Sequence, residues 1–321
     1  MKILVTGGAG FIGSHLCERL VLEGHHVSAI DDFSTGRASN LANLANSNNF
    51  SLTEGSILDS GILNPLVNDS DYVFHLAAAV GVFNIVNNPL ASLLTNIRGT
   101  ENVLEAAHST KTPVFITSSS EVYGKNISDS LKEGDDRILG SPVTLRWSYS
   151  EAKAIDESLA YAYFVEKHLE TRIVRFFNTV GPRQLGAYGM VVPRFVKAAL
   201  CNEPITIYGD GKQTRCFAHV YDAVDAVCSI AFADNTIGKV INIGNDYEIS
   251  INDLAHRVIK ETNSSSQVVY VPYAEAYGDG FEDMERRVPS INLINQLVGW
   301  KPKRDLSTMI ADISAEMSRD S

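Results

Sequence analysis

TGGAGFIGSHL, residues 6–16, follows the apolar run KILV (2–5) and opens a helix-like segment that stops at Gly24. Gly7, Gly10 and Gly13 stand three apart. The first permits a tight turn, the second lets backbone approach a pyrophosphate, and the third lets the helix pack close. A phosphate then meets the helix N-terminus, where amides and the macrodipole favour an anion. The next apolar run, HHVSAI (25–30), ends in Asp31-Asp32, eighteen positions past Gly13. A carboxylate there binds both adenosine ribose hydroxyls and repels a 2′-phosphate, so the cofactor expected is NAD. Asp31, directly after Ile30, is the better placed of the two. A lone glycine turn says little; strand, glycines, helix and acidic strand end in this order point to a dinucleotide site.

Outward from that turn, short apolar strands (DYVFHLAA, TPVFITSS, TRIVRFFN) alternate with helices such as NIRGTENVLEAAHST and YSEAKAIDESLAYAYFVEKH. This alternation predicts an α/β fold: a doubly wound parallel sheet of Rossmann type, covered on both faces. After about residue 178 the loops become rich in Gly and Pro, and a smaller C-terminal α/β domain is expected to shape a cleft. The expected division is 1–178 for cofactor binding and 179–321 for substrate, with about 212–242 returning to the first domain.

The 321 residues carry a net charge of −11, which argues against a nucleic-acid partner. Cys17, Cys201, Cys216 and Cys228 lack the spacing of a disulfide framework or a zinc site, so no metal is expected and a reducing cytoplasm fits. No apolar run approaches a membrane span, and the N-terminus lacks the layout of a signal peptide.

WSYSEAK places Tyr149 and Lys153 four apart, hence on one helix face. A phenol has a reference pKa of about 10 and is a poor base at neutral pH. A nearby ammonium and a cationic nicotinamide are expected to lower it, and Lys153 is also placed to hold the nicotinamide ribose. Tyr and Lys at this spacing also recur on ordinary amphipathic helices, so the pair gains meaning from the dinucleotide site before it.

Together TGGAGFIG, HLAA, SSSEVYG, YSEAK and RFFNTVGPR resemble an extended short-chain dehydrogenase/reductase of the nucleotide-sugar epimerase, dehydratase and decarboxylase kind. The resemblance implies NAD held by Gly7, Gly10, Phe11, Ile12, Gly13, Asp31, Leu76, Ala77, Ala78, Asn96, Tyr149 and Lys153, and a UDP-sugar in the second domain. It implies that Ser119 donates to the sugar O4 while Tyr149 takes its proton. Ser120-Glu121 resembles the pair in UDP-glucuronate decarboxylases, as do RW.YS..K (146–153), Gln213–Phe217 and the run from Tyr277 to Ile291. Glu121 and Arg215 would then serve decarboxylation: a C4 ketone makes the sugar a β-keto acid, Arg215 supplies charge, and Glu121 relays protons or orients the sugar. Asn178, Arg183, Arg194, Arg215 and Arg287 are candidates for the sugar nucleotide, since guanidinium forks match phosphate oxygens. Gln184 after GPR is more like the 4-epimerases, which remain the alternative, and a non-catalytic NAD-binding protein is a third reading. His75 in its buried strand reads as a core residue. Apolar residues on the helices around 93–107 and 156–168 imply a homodimer.

Overall fold

In this computed structural model residues 1–81, 85, 87–186, 190–272, 275, 284 and 286–319 are described. The strands β1 (Lys2–Thr6), β2 (His26–Asp31), β3 (Phe50–Glu54), β4 (Tyr72–His75), β5 (Val114–Ser119) and β6 (Thr171–Phe176) alternate with α1 (Phe11–Leu22), α2 (Ser60–Asn68), α3 (Pro89–Thr110) and α4 (Ser148–Lys167). After β7 (Thr179–Val180) come α5 (Val191–Leu200), β8 (Ile205–Tyr208), β9 (Thr214–Cys216), β10 (Ala218–His219), α6 (Val220–Ala231) and β11 (Val240–Ile243). The chain ends with β12 (Glu248–Ser250), α7 (Ile251–Glu261), β13 (Val268–Val271), α8 (Asn292–Val298) and α9 (Leu306–Arg319).

Seven parallel strands form the central sheet in the order β11-β6-β5-β4-β1-β2-β3. The chain runs outward from β1 to β3 and then returns to β4, so the order reverses between β1 and β4. Ligands of open α/β sheets bind beyond the carboxyl ends of the strands at that reversal. Both faces are apolar: Leu16, Leu20, Ala223 and Val227 cover one side, and Leu63, Val103, Leu104 and Ala160 the other. Full burial of a Leu- or Ile-sized side chain stabilises by about 1.5–3 kcal/mol, so these two layers fix the sheet and hence the strand ends. A third cluster, including Phe195, Ile207, Leu254 and Ile310, is the core of the smaller part.

The two parts interleave somewhat differently from the expected 212–242. The return to the sheet comprises α6, which packs on α1, and β11, which pairs with β6. The preceding β9 and β10 stay outside the sheet, on β12 and β7. A second return follows, since Ile294 and Trp300 join the core beside α1 and α6. Among the described residues, no helix is long and apolar enough to cross a membrane, and no group of three His, Cys, Asp or Glu is placed to hold a metal.

Candidate active site

The glycine turn is built as its spacing demands. Gly7 has φ +70°, and a Cβ there would lie 2.8 Å from the Ala77 nitrogen; at Gly13 a Cβ would lie 2.1 Å from the Gly7 oxygen. Any side chain at either position would push β1, α1 and the β4 end apart. Among the described residues no side chain caps the first turn of α1, which leaves the amides that an anion takes at a helix N-terminus. Asp31 closes β2, accepting from the amides of Ala9 and Phe33 at 2.9 Å each. Burial pushes its carboxyl up, against those amide bonds. Gly7, Gly10, Phe11, Ile12, Gly13 and Asp31 line one half of a cleft of about 690 Å³, with Leu76, Ala77 and Ala78 on its wall. This cradle fits a dinucleotide pyrophosphate and its adenosine ribose.

The three serines at the end of β5 have three separate partners. Ser118 points into the scaffold and donates to Glu157 at 2.5 Å; Arg175 grips the same carboxylate at 2.9 and 2.8 Å. Ser119 ends the strand and accepts from the Glu121 amide at 3.2 Å, starting a short 3-10 turn over Ser120–Tyr123. Ser120 accepts from Arg287 Nη1 at 3.2 Å. Glu121 lies between two guanidinium groups, Arg146 Nη1 at 2.6 Å and Arg287 Nη1 at 2.8 Å. Burial alone would raise the Glu121 carboxyl, but Arg287 and Arg146 outweigh it and bring it down to about 2. Two guanidinium groups and one carboxylate therefore meet beside the serines. Trp147, fully buried, holds Arg146 from the other side with its ring 5.3 Å from the guanidinium.

Tyr149 and Lys153 lie on α4 facing the same cleft as Ser119, whose hydroxyl acts to lower the phenol. The expected lowering of the phenol is reversed in the chain alone. Burial pushes Tyr149 up, and the Glu121 and Asp156 carboxylates push it further. The Lys153 ammonium is turned toward protein partners, the Thr117 carbonyl at 2.9 Å and Asp156 Oδ2 at 3.1 Å.

The cleft brings together Ser119, Ser120, Glu121, Tyr149, Lys153 and Asn178 with Arg194, Arg215 and Arg287. Three expectations come out differently. Arg183 is not among the lining residues; its guanidinium pairs with Glu18 of α1 at 2.7 Å. Asn96 does not line the cleft either, but clamps Ala79 from behind, accepting from its amide at 2.7 Å and donating to its carbonyl at 3.2 Å. Glu121 does not suit proton relay: a carboxyl brought down to about 2 holds no proton to give at neutral pH. Its partners are Arg146 and Arg287, while Arg215 Nη1 donates to the Thr214 carbonyl at 2.8 Å. Of the run Tyr277–Ile291, residues 277–283 and 285 lie outside the described residues. Sequence reasoning passed over Arg146 and Asp156. Both had a signal, since each stands three positions from a residue already singled out, Tyr149 and Lys153, and that spacing shares a helix face.

The model of the GDP-mannose 4,6 dehydratase family matches residues 4–313. The chain is 42% identical over 303 residues to the UDP-N-acetyl-alpha-D-glucosaminuronate decarboxylase of Bacillus cytotoxicus, covering 94% of this chain and 92% of that one. It is 34% identical to UDP-glucuronic acid decarboxylase 1 of Xenopus tropicalis, covering 94% of this chain and 68% of that protein. Among solved structures, the UDP-glucuronic acid 4-epimerase of Bacillus cereus, in complex with UDP-glucuronic acid and NAD, superposes with a TM-score of 0.90 at 31% identity over the whole of both chains.

Proposed function

The chain belongs to the GDP-mannose 4,6 dehydratase family of NAD-dependent extended short-chain dehydrogenases/reductases, and on that premise we propose that it decarboxylates a UDP-linked hexuronate. The observation that carries this reading is the buried Arg146–Glu121–Arg287 cluster beside the Ser119–Tyr149 hydroxyl pair. Two guanidinium groups, buried next to the reacting hydroxyls, favour a sugar that brings a carboxylate over a neutral hexose. The names of the relatives support the same substrate class.

NAD fits the glycine cradle, with Asp31 on the adenosine ribose and Lys153 toward the nicotinamide ribose. When bound, it supplies the redox chemistry, taking hydride from C4 of the sugar and returning it at the end. The protein's own part is proton and charge handling. Tyr149 takes the proton of the O4 hydroxyl, and Ser119 donates a hydrogen bond to the same oxygen. The resulting β-keto acid loses carbon dioxide as the electron pair of the breaking C5–C6 bond moves onto O4. Ser119 and the now protonated Tyr149 hydrogen-bond that enolate oxygen, C5 then takes up a proton from solvent, and Tyr149 gives its proton back to O4 as C4 is reduced. Glu121 orients Arg146 and Arg287, and Asn178, Arg194 and Arg215 are assigned to the UDP portion. Arg194, stacked 4.3 Å over Tyr208, is already rigid there.

A panel of UDP-glucuronate, UDP-N-acetylglucosaminuronate and UDP-glucose, incubated with the NAD-loaded protein and followed by mass spectrometry, tests this. A hexuronate is expected to lose the mass of carbon dioxide, and the faster of the two assigns the group at C2. An isomeric product of unchanged mass would instead establish a 4-epimerase, and no product from either hexuronate would sink the proposal.

We also propose a homodimer. Ile155, Tyr161 and Val165 of α4 and Leu90 of α3 are exposed, and α3 and α4 pack side by side, so two copies can bury these faces in a four-helix contact. Tyr161→Arg is expected to shift the mass measured by light scattering from dimer to monomer; a wild-type monomer would end the idea.

A further inference from the structure

Asp156 has no part in the reaction as proposed, yet it is completely buried and bonded to Lys153. Behind it runs a string of polar groups. The Ala77 amide, on the cleft wall, donates to Thr6 Oγ1 at 3.1 Å, and Thr6 Oγ1 lies 2.8 Å from His75 Nδ1. On its other side His75 Nε2 lies 3.1 Å from Thr100 Oγ1. Thr100 in turn stabilises the Asp156 carboxylate. Burial holds the His75 imidazole well below its usual range, at about 3, so it is neutral, with one donor and one acceptor nitrogen. On the near side of this string, Asp156 Oδ2 accepts from Lys153 Nζ at 3.1 Å.

We propose that Asp156 is a positioning residue: bonded to Lys153 at 3.1 Å, it holds the ammonium at the floor of the cleft and keeps a negative charge two helix turns beyond Tyr149 on the same face. Geometry places the other groups that act on this pair. Tyr149 and Glu157 share α4 with it, His75 comes from β4, Glu121 from the turn after β5, and Arg175 of β6 neutralises Glu157. Of the carboxylates, Asp156 alone bonds the ammonium among the described contacts. The inference rests on the reading of Tyr149 as the proton acceptor, but its test needs no sugar.

Tyrosinate absorbance of the NAD-bound protein is titrated, with the same titration of Tyr149→Phe subtracted to isolate that one phenol. In Asp156→Asn the loss of a negative charge should lower the Tyr149 midpoint by on the order of one pH unit, and Asp156→Glu should restore it. With a reactive hexuronate, the acidic limb of the kcat profile should move down by the same amount. If Asp156→Asn does not fold, Asp156→Ser, whose hydroxyl can still accept from Lys153, is titrated with the same expectation. A midpoint equal to wild type in the folded variant, with only thermal stability changed, would overturn the proposal by reducing Asp156 to a structural ion pair. Failure of every hexuronate to react would leave the titration readable, so the two readings fall separately.

Discussion

Tyr149→Phe should lower kcat by about a thousandfold, within the range that removal of a general base costs, while leaving the fold and NAD binding intact. The expectation follows from how little the substitution changes. The ring lines the wall of the cleft and stays; only the phenol oxygen is lost. No other described group on the cleft floor can take its place. Lys153 is held on Thr117 and Asp156, and the Glu121 carboxylate is committed to two guanidinium groups. The measurement is single-turnover appearance of reduced nicotinamide absorbance on adding the reactive UDP-sugar. It should vanish together with steady-state turnover, because proton removal from O4 precedes everything else. A variant that still reduces its cofactor at the wild-type rate would show that another base serves O4, and the assignment of the whole cleft would have to change.

Much of this was legible in the residues. The glycine turn, the Asp31 strand end and the Tyr149–Lys153 pair are local patterns, and local spacing predicts local geometry; the parallel sheet follows from strands alternating with helices. The β3 edge strand escaped notice because FSLTE lies at the sheet margin, with no buried residue among its five, so the apolar run that marks an inner strand is missing. Two kinds of fact were out of reach. One is pairing across long separations: Glu121 meets Arg287, 166 positions away, and nothing local distinguishes Arg287 from Arg215 as its partner. The other is the sign of a pKa shift. Lys153 stands four residues from Tyr149 and suggests a lowered phenol, but burial, with Glu121 and Asp156 brought close only in the folded chain, reverses it. Ser118 shows the same limit in miniature. It stands beside Ser119 in the sequence, yet its hydroxyl donates to Glu157 of α4, a pairing no local pattern shows.

The second large effect concerns Glu121 and separates the two roles its position allows. In the folded chain its carboxyl is brought from 4.5 down to about 2, chiefly by Arg287 and Arg146 against the cost of burial. A lowered acid contributes stability above its unfolded pKa, and loses it as the pH falls through the folded value. The full contribution is therefore present above about pH 4.5 and disappears toward pH 2. A shift of that size corresponds to about 3 kcal/mol, and Glu121→Gln should cost at least that, because it removes the carboxylate that two buried guanidinium groups share. Urea unfolding midpoints of wild type and Glu121→Gln should thus differ by a constant amount from neutral pH to about 4.5, and converge below it. Turnover of the variant should fall by about a hundredfold, since Arg146 and Arg287 lose the carboxylate that aims them. Were Glu121 instead the carrier that protonates C5, it would have to titrate near neutrality in the folded protein, and the two midpoint curves would begin to converge at pH 6 or above. Convergence confined to the acid range, together with lost turnover, is possible only if the carboxylate works as a fixed charge.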